Sequence, residues 1–153
     1  MVRKIKYKAG DEIMRIAVVD GQGGGIGKLL VEKMRQEFPD AQIIALGTNA
    51  LAAALMIKAG ADEGASGENA VIYNAPKVDI ITGTIGIVAA NSMLGELTPL
   101  MAKAIAESPA KKILIPMNKC NIEVVGGKSD ALPQYIDCVV SSIKASKYFS
   151  TVR

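Results

Sequence analysis

The chain contains no histidine, no tryptophan and only two cysteines among its 153 residues. Without histidine there is no Ser-His-Asp or Cys-His relay, no HExxH metal site and no side chain that ordinarily titrates near neutral pH. Cys120 and Cys138 are too few for the disulfide framework of a secreted protein, and two distant thiols cannot complete a structural zinc site. Aromatic residues are scarce, with two Phe and four Tyr, and the net charge is only +3. Residues 1–13 carry four basic and two acidic residues, so most of that charge sits in a polar lead-in. A dedicated nucleic-acid binder shows a larger basic footprint and stacking aromatics, so no nucleic-acid partner is expected. No apolar run reaches the roughly 18 residues of a membrane span. The basic N-terminus is not followed by the apolar segment of a signal peptide. The expectation is a cytoplasmic protein with no membrane partner.

What the chain has in quantity is apolar side chains. They make up 50% of it, against 22% charged residues. That is rich for a monomer of this size, and a subunit interface is the usual destination of such a surplus. A homo-oligomer is therefore expected.

The apolar residues fall into alternating patterns. Arg15–Asp20 reads as a buried parallel strand, and Lys28–Phe38 as an amphipathic helix stopped by Pro39-Asp40. Ala41–Leu46 is a second strand. Asn49 or Thr48 caps a nearly all-apolar helix over Ala50–Ala59, expected to be buried on most sides, with Gly60 closing it. Ala61–Ala65 reads as a short strand and Glu68–Asn74 as a short helix. Val78–Thr82 is a firmer strand, followed by a loop at Gly83–Gly86 and a helical reading of Ile87–Leu94. Thr98-Pro99 opens a helix to about Ser108. Lys111–Met117 is a strand, Ile122–Val125 a further short strand, and Leu132–Lys147 a last helix with Cys138 on its buried side. Strands alternating with helices predict an α/β, three-layer, Rossmann-like fold. Its mostly parallel sheet has about five strands with helices on both faces. It would be one domain over 14–153, preceded by the polar extension 1–13.

The strongest chemical signal is Gly21-Gln22-Gly23-Gly24-Gly25-Ile26-Gly27, between the first strand and the first helix. Five glycines in seven residues exceed what a bare turn needs. Glycine lets the backbone approach a ligand closely, and the helix opening behind it offers unpaired N–H groups and a positive dipole end to an anion. The spacing is not GxGxxG, because Ile26 stands where the third glycine belongs. Gly21-x-x-x-Gly25-Ile26-Gly27 matches the turn of short-chain dehydrogenases. Gly23 to Lys28 resembles the GGxGK part of a deviant P-loop, but Leu29 replaces the Ser or Thr that would hold Mg²⁺. The competing reading is that the glycines serve only close packing of strand against helix.

Asp20, at the carboxyl end of the first strand, repels a phosphate unless something lies between them. It either contacts a ribose hydroxyl, a ligand amine or Mg²⁺, or it caps the amides of its own turn. A dinucleotide site of the NAD type wants Asp or Glu at the end of the second strand. Here Gly47, Thr48 and Asn49 follow it, which points instead to NADP, a mononucleotide or a smaller anion. Gly83, Thr84, Asn118, Lys119 and Cys120 also follow strands and are expected at the same crevice. Lys119 could pair with an anion, and Cys120 could be nucleophilic, although a small buried thiol is its plainer role. Asn91, Ser92 and Glu96 either face the crevice or cap the break before Pro99. Tyr73 and Lys77 spell YxxxK, but Pro76 interrupts the helix that pair requires, so the match is taken as chance.

The segments Arg15–Lys28, Ala45–Ala50, Ala90–Pro99 and Ile113–Val125 together resemble a family of small bacterial proteins classed as a domain of unknown function. The likeness covers about 14–125 and implies a Rossmann-like fold without assigning an activity. Three functions remain open. The first is a nucleotide- or dinucleotide-binding module for an anionic small molecule. The second is a small oligomeric enzyme, an NADP-dependent reductase or a transferase, with Asp20, Lys119 and Cys120 as its reactive groups. The third is a structural oligomer with no nucleotide ligand.

Overall fold

The computed structural model describes residues 12–117, 120–127 and 129–146. Most of the expected N-terminal extension lies outside them. Five parallel strands form one sheet: β1 (Arg15–Asp20), β2 (Gln42–Gly47), β3 (Glu63–Ser66), β4 (Ile80–Thr84) and β5 (Lys111–Ile115), in the order β3-β2-β1-β4-β5. The order reverses between β1 and β4, which makes the crevice above their carboxyl ends the place where open α/β sheets bind ligands.

Side-chain alternation sorts the core into two layers. Ile16 and Val18 of β1, Ile43 and Ala45 of β2, and Ile80 of β4 face one side. There they meet α1 (Gly25–Glu37) through Leu30, Val31 and Met34, and α5 (Leu132–Lys144) through Ile136, Val139, Val140 and Ile143. Ala17, Val19, Ile44, Leu46 and Ile81 face the other side, under Val71 of α3 (Glu68–Asn74) and Met101, Ala102 and Ile105 of α4 (Pro99–Glu107). The fold is thus the three-layer Rossmann-like α/β arrangement that the alternating pattern predicts.

The local signals explain most boundaries. Asn49 accepts a hydrogen bond from the Ala52 amide and caps α2 (Ala50–Lys58), and Thr98 caps α4 through the Met101 amide, with Pro99 in the first helical position. Several expectations are corrected. Helix α1 starts at Gly25 rather than Lys28, so two of the turn's glycines are helical. Gly83 and Thr84 belong to β4 rather than to the loop after it.

Ile87–Leu94 is not a helix. Ile85–Val88 makes one tight 3₁₀ turn, and Asn91, Met93, Leu94 and Gly95 then take left-handed backbone (φ 64°, 57°, 57° and 87°). The stretch is apolar without a sustained helical period, and Asn91-Ser92 and Gly95 favour turns. Ile122–Val125 forms no strand, since β5 is an edge that takes no further partner among the described residues. Cys138 is exposed, because the buried stripe of α5 at 136, 139, 140 and 143 leaves it on the opposite side. Helix α2 buries only Ala52, Ala53 and Met56, while Leu51 stays 60% and Ile57 44% exposed. Among the described residues, no helix is long and apolar enough to cross a membrane.

Candidate functional site

The glycine turn divides into glycines that the fold needs and glycines that it does not. Gly24 has φ 72°, a left-handed conformation that side chains resist, and a Cβ there would lie 2.9 Å from the Ala52 backbone. A Cβ on Gly21 would run into Thr48 Oγ1 and come within 2.7 Å of Met93 Sδ. A Cβ on Gly27 would lie 2.6 Å from Met56 Sδ and 2.7 Å from Asp20 Cβ. These three are packing glycines. Gly23 and Gly25 are different: each is exposed, and an added Cβ would meet nothing within 4 Å. Neither packing nor left-handed backbone accounts for them.

Asp20 serves the turn itself. It is 7% exposed, and its carboxylate accepts the Gly21 amide at 2.8 Å and the Gly27 amide at 2.6 Å. Gly27 is the third residue of α1, so the carboxylate occupies one of the amides at the helix's positive end. The capping role expected as one alternative for Asp20 is the one seen. The amides of Gly25 and Ile26, as the first two of the helix, have no intrahelical acceptor.

Above the turn sits the segment after β4. Its Glu96 carboxylate is a hub: one oxygen accepts from the Gln22 amide at 3.0 Å, Thr48 Oγ1 at 2.8 Å and Asn49 Nδ2 at 2.6 Å. Asn49 Nδ2 also donates to the Gln22 carbonyl at 3.0 Å. Three loops are tied together here, those after β1, β2 and β4. The Asn49 amide, then the Gln22 amide, hold the Glu96 carboxyl below the usual glutamate range against the opposing effect of burial.

On the β4 side the crevice stays open. A cleft of about 540 Å³ is walled by Asp20, the turn Gly21–Ile26, Thr84, Met93, Leu94 and Cys120. Thr84 ends β4, and the β1–β4 register that sets Val18 against Thr82 carries it alongside Asp20. Thr84 is 7% exposed and its hydroxyl caps nothing. Thr82, two residues earlier on the same face, is fully buried with a hydroxyl that has no partner. The five non-glycine residues with left-handed backbone among those described are Gln22, Asn91, Met93, Leu94 and Asn121. Three of them wall the cleft and the other two adjoin its loops. Leu94, at the mouth, is 98% exposed.

Of the residues expected at the crevice, Asp20, Gly21, Gln22, Gly23, Gly24, Gly25, Ile26, Thr84 and Cys120 come together around this cleft. Gly27 is buried within α1, and Gly83 is buried in β4, where a Cβ would lie 2.6 Å from the Val19 carbonyl. Gly47, Thr48 and Asn49 stand beyond the Glu96 hub, outside the cleft wall. Asn118 and Lys119 lie outside the described residues. Tyr73 and Lys77 stack on one another, with the ammonium 2.9 Å from the ring centre, before β4 begins and hence at the opposite end of the sheet. Among the described residues no group of three or more Cys, Asp or Glu could hold a metal ion.

Met93 and Leu94 were not foreseen as cleft walls, and Glu96 was foreseen only as one of several loop residues. The readable signal was a lone acidic residue between Gly95 and Leu97 in an otherwise apolar stretch.

No curated protein and no solved structure matches the chain. The family model described as a domain of unknown function, DUF3842, matches residues 15–148, so the likeness extends through α5 rather than stopping near 125. Because that match spans most of its length, the chain belongs to the DUF3842 family.

Proposed function

We propose that the chain is a binding module for an anionic small molecule of the nucleotide class, held against the glycine turn. The observation that carries this reading is the pair Gly23 and Gly25. Their missing side chains leave open space beside the first turn of α1, whose Gly25 and Ile26 line the cleft and whose first amides have no intrahelical acceptor. A turn built only to pack strand on helix would tolerate alanine at both places.

Native mass spectrometry of the purified protein, alone and with NAD, NADP, ATP, GMP and S-adenosylmethionine, tests it. A retained or added ligand mass is expected. Gly25→Val should abolish that binding while the circular dichroism and melting of the protein stay close to the parent, because its side chain stands in the ligand's place and its Cβ meets nothing within 4 Å. Undiminished affinity in the folded variant would remove the turn from the site. A small enzyme is the second reading, favoured by Cys120 at the cleft wall beside Gly86, where an added Cβ would lie 3.0 Å from its Sγ.

The same protein is proposed to be a homo-oligomer, since Leu51 and Ile57 of α2 and Leu100 of α4 (54% exposed) leave large apolar side chains in water. Light scattering at working concentration should give at least twice the 16.0 kDa chain mass. A monomer would defeat the expectation.

A further inference from the structure

The crevice of a dinucleotide-binding sheet has two halves. The phosphates lie over the turn after the first strand, one nucleoside extends toward the second strand, and an acidic residue at that strand's end receives its ribose hydroxyls. Here the half toward β2 is already occupied. Glu96, arriving from the segment after β4, places its carboxylate against the Gln22 amide, Thr48 Oγ1 and Asn49 Nδ2. The Gln22 carbonyl is bonded directly to Asn49 as well. The donors that would meet a ribose are spent, and the two loops that would have to part around it are joined.

The half toward β4 is open, and it holds a polar group with no structural employment. Thr84 lines the cleft, is more than nine-tenths buried, and its hydroxyl makes no hydrogen bond among the described residues. Both carboxylate oxygens of Asp20, alongside it, are engaged by the Gly21 and Gly27 amides, and those donors stand against the repulsion that its charge would exert on a phosphate. A phosphate set on the Gly25 and Ile26 amides therefore finds one further hydroxyl within the cleft. Toward β4, the described residues that the rest of its carrier would meet are Met93, Leu94 and Cys120.

We infer that the ligand is a compact phosphate monoester, no larger than a nucleoside monophosphate, which enters from the β4 side. Thr84 is a ligand contact, and Glu96 is the residue that excludes a dinucleotide. This deepens the binding function proposed above and rests on it.

Isothermal titration of the full-length chain with inorganic phosphate, ribose 5-phosphate, AMP, NAD and NADP tests the inference. Ribose 5-phosphate or AMP should bind, and NAD and NADP should bind at least tenfold more weakly than the better of those two. Thr84→Val should weaken the monoester roughly tenfold, the loss of one hydrogen bond to a charged group. Glu96→Ala should narrow the gap between AMP and NAD by raising the affinity for NAD. The comparison on the parent protein stands even if that variant does not fold.

NAD or NADP binding the parent as tightly as AMP, and losing that binding in Gly25→Val, would overturn the inference while sustaining the binding function. Equal affinity for the monoester in parent and Thr84→Val would overturn the role of Thr84. If none of the five probes bound at millimolar concentration, the proposed function would fall and this inference with it. Preference for ribose 5-phosphate over AMP would support a sugar phosphate, and the reverse a mononucleotide.

Discussion

The two ends of the sheet are built by opposite rules. At the amino end, polar groups are saturated. Arg35 donates to the carbonyls of Gly60, Pro39 and Ala41 and to the Asp62 carboxylate, while Asp62 also accepts the Ile43 amide. Arg15 donates its amide to Asp79 and its side chain to Gln42 and the Lys77 carbonyl. Burial pushes the Asp62 carboxyl up, yet the Ile43 amide and the Arg35 guanidinium outweigh it and hold the group below its ordinary range. Toward the carboxyl end, the Thr82 hydroxyl is buried without a partner, two glycines lack a packing reason, and the described left-handed non-glycine residues gather. Unsatisfied groups and strained backbone cost free energy, and they persist where something other than the fold requires them. Under the proposed function, the contrast gives stability to one end and binding to the other.

The sharpest way to break that contrast uses one substitution at two positions two residues apart. Alanine in place of glycine favours a helix by up to about 1 kcal/mol wherever it fits. Gly27→Ala does not fit, because its Cβ would press on Met56 and on the Asp20 carbon that positions the capping carboxylate. Overpacking of this kind costs about 1–3 kcal/mol, and displacing Asp20 from the Gly21 and Gly27 amides adds to it. A net loss of about 3 kcal/mol is expected in urea unfolding. Gly25→Ala meets nothing and should be neutral or slightly stabilising, yet weaken the ligand. Equal stability losses at both sites would mean that Gly25 is a packing glycine too, and the division of the turn would collapse.

At the other end, Arg35→Ala should cost about 2 kcal/mol, mostly from the three carbonyls it leaves without their donor. The pair with Asp62, whose side chain is 45% exposed, adds little to that. Ligand affinity should not change, because every partner of Arg35 lies below the sheet's amino edge. A variant that lost affinity as well as stability would show that the two ends are coupled.

How much of this could be read in advance follows from where each signal is stored. Strand β1, the capping of α2 by Asn49 and the start of α4 at Thr98-Pro99 are written in adjacent residues, so they were legible. The fold followed from their alternation. Strand-end positions also placed Asp20, the turn, Thr84 and Cys120 at one cleft. The rest was set by contacts far apart in sequence. Nothing near Glu96 announces that its carboxylate will meet Gln22, 74 residues earlier. Nothing near Gly23 and Gly25 separates them from Gly21, Gly24 and Gly27, because the distinction lies in Ala52, Met56, Thr48 and Met93. The stretch 87–94 misled because apolar composition reports burial but not period. Ile87 is indeed buried, but from a turn.

The smallest effect expected is a gain. Thr82 is fully buried in β4 between β1 and β5, and its hydroxyl is the one buried side-chain polar atom without a partner among the described residues. Valine has the same branched shape and no group to leave unsolvated. A buried hydroxyl without a hydrogen bond costs about 1–3 kcal/mol by protein measurements. Thr82→Val should therefore raise stability by about 1 kcal/mol and the melting temperature by a few degrees. Thr82 stands one pleat below Thr84 on the same face of the same strand, so the two hydroxyls form a polar column descending from the cleft floor. If valine at 82 stabilises the chain and leaves ligand affinity alone, the column's functional part ends at Thr84. If it stabilises the chain but weakens the ligand, the column reaches down to Thr82 and stability has been yielded for binding. A destabilised variant would mean that the hydroxyl has a buried water as its partner, and the carboxyl end would then be better satisfied than the contrast requires.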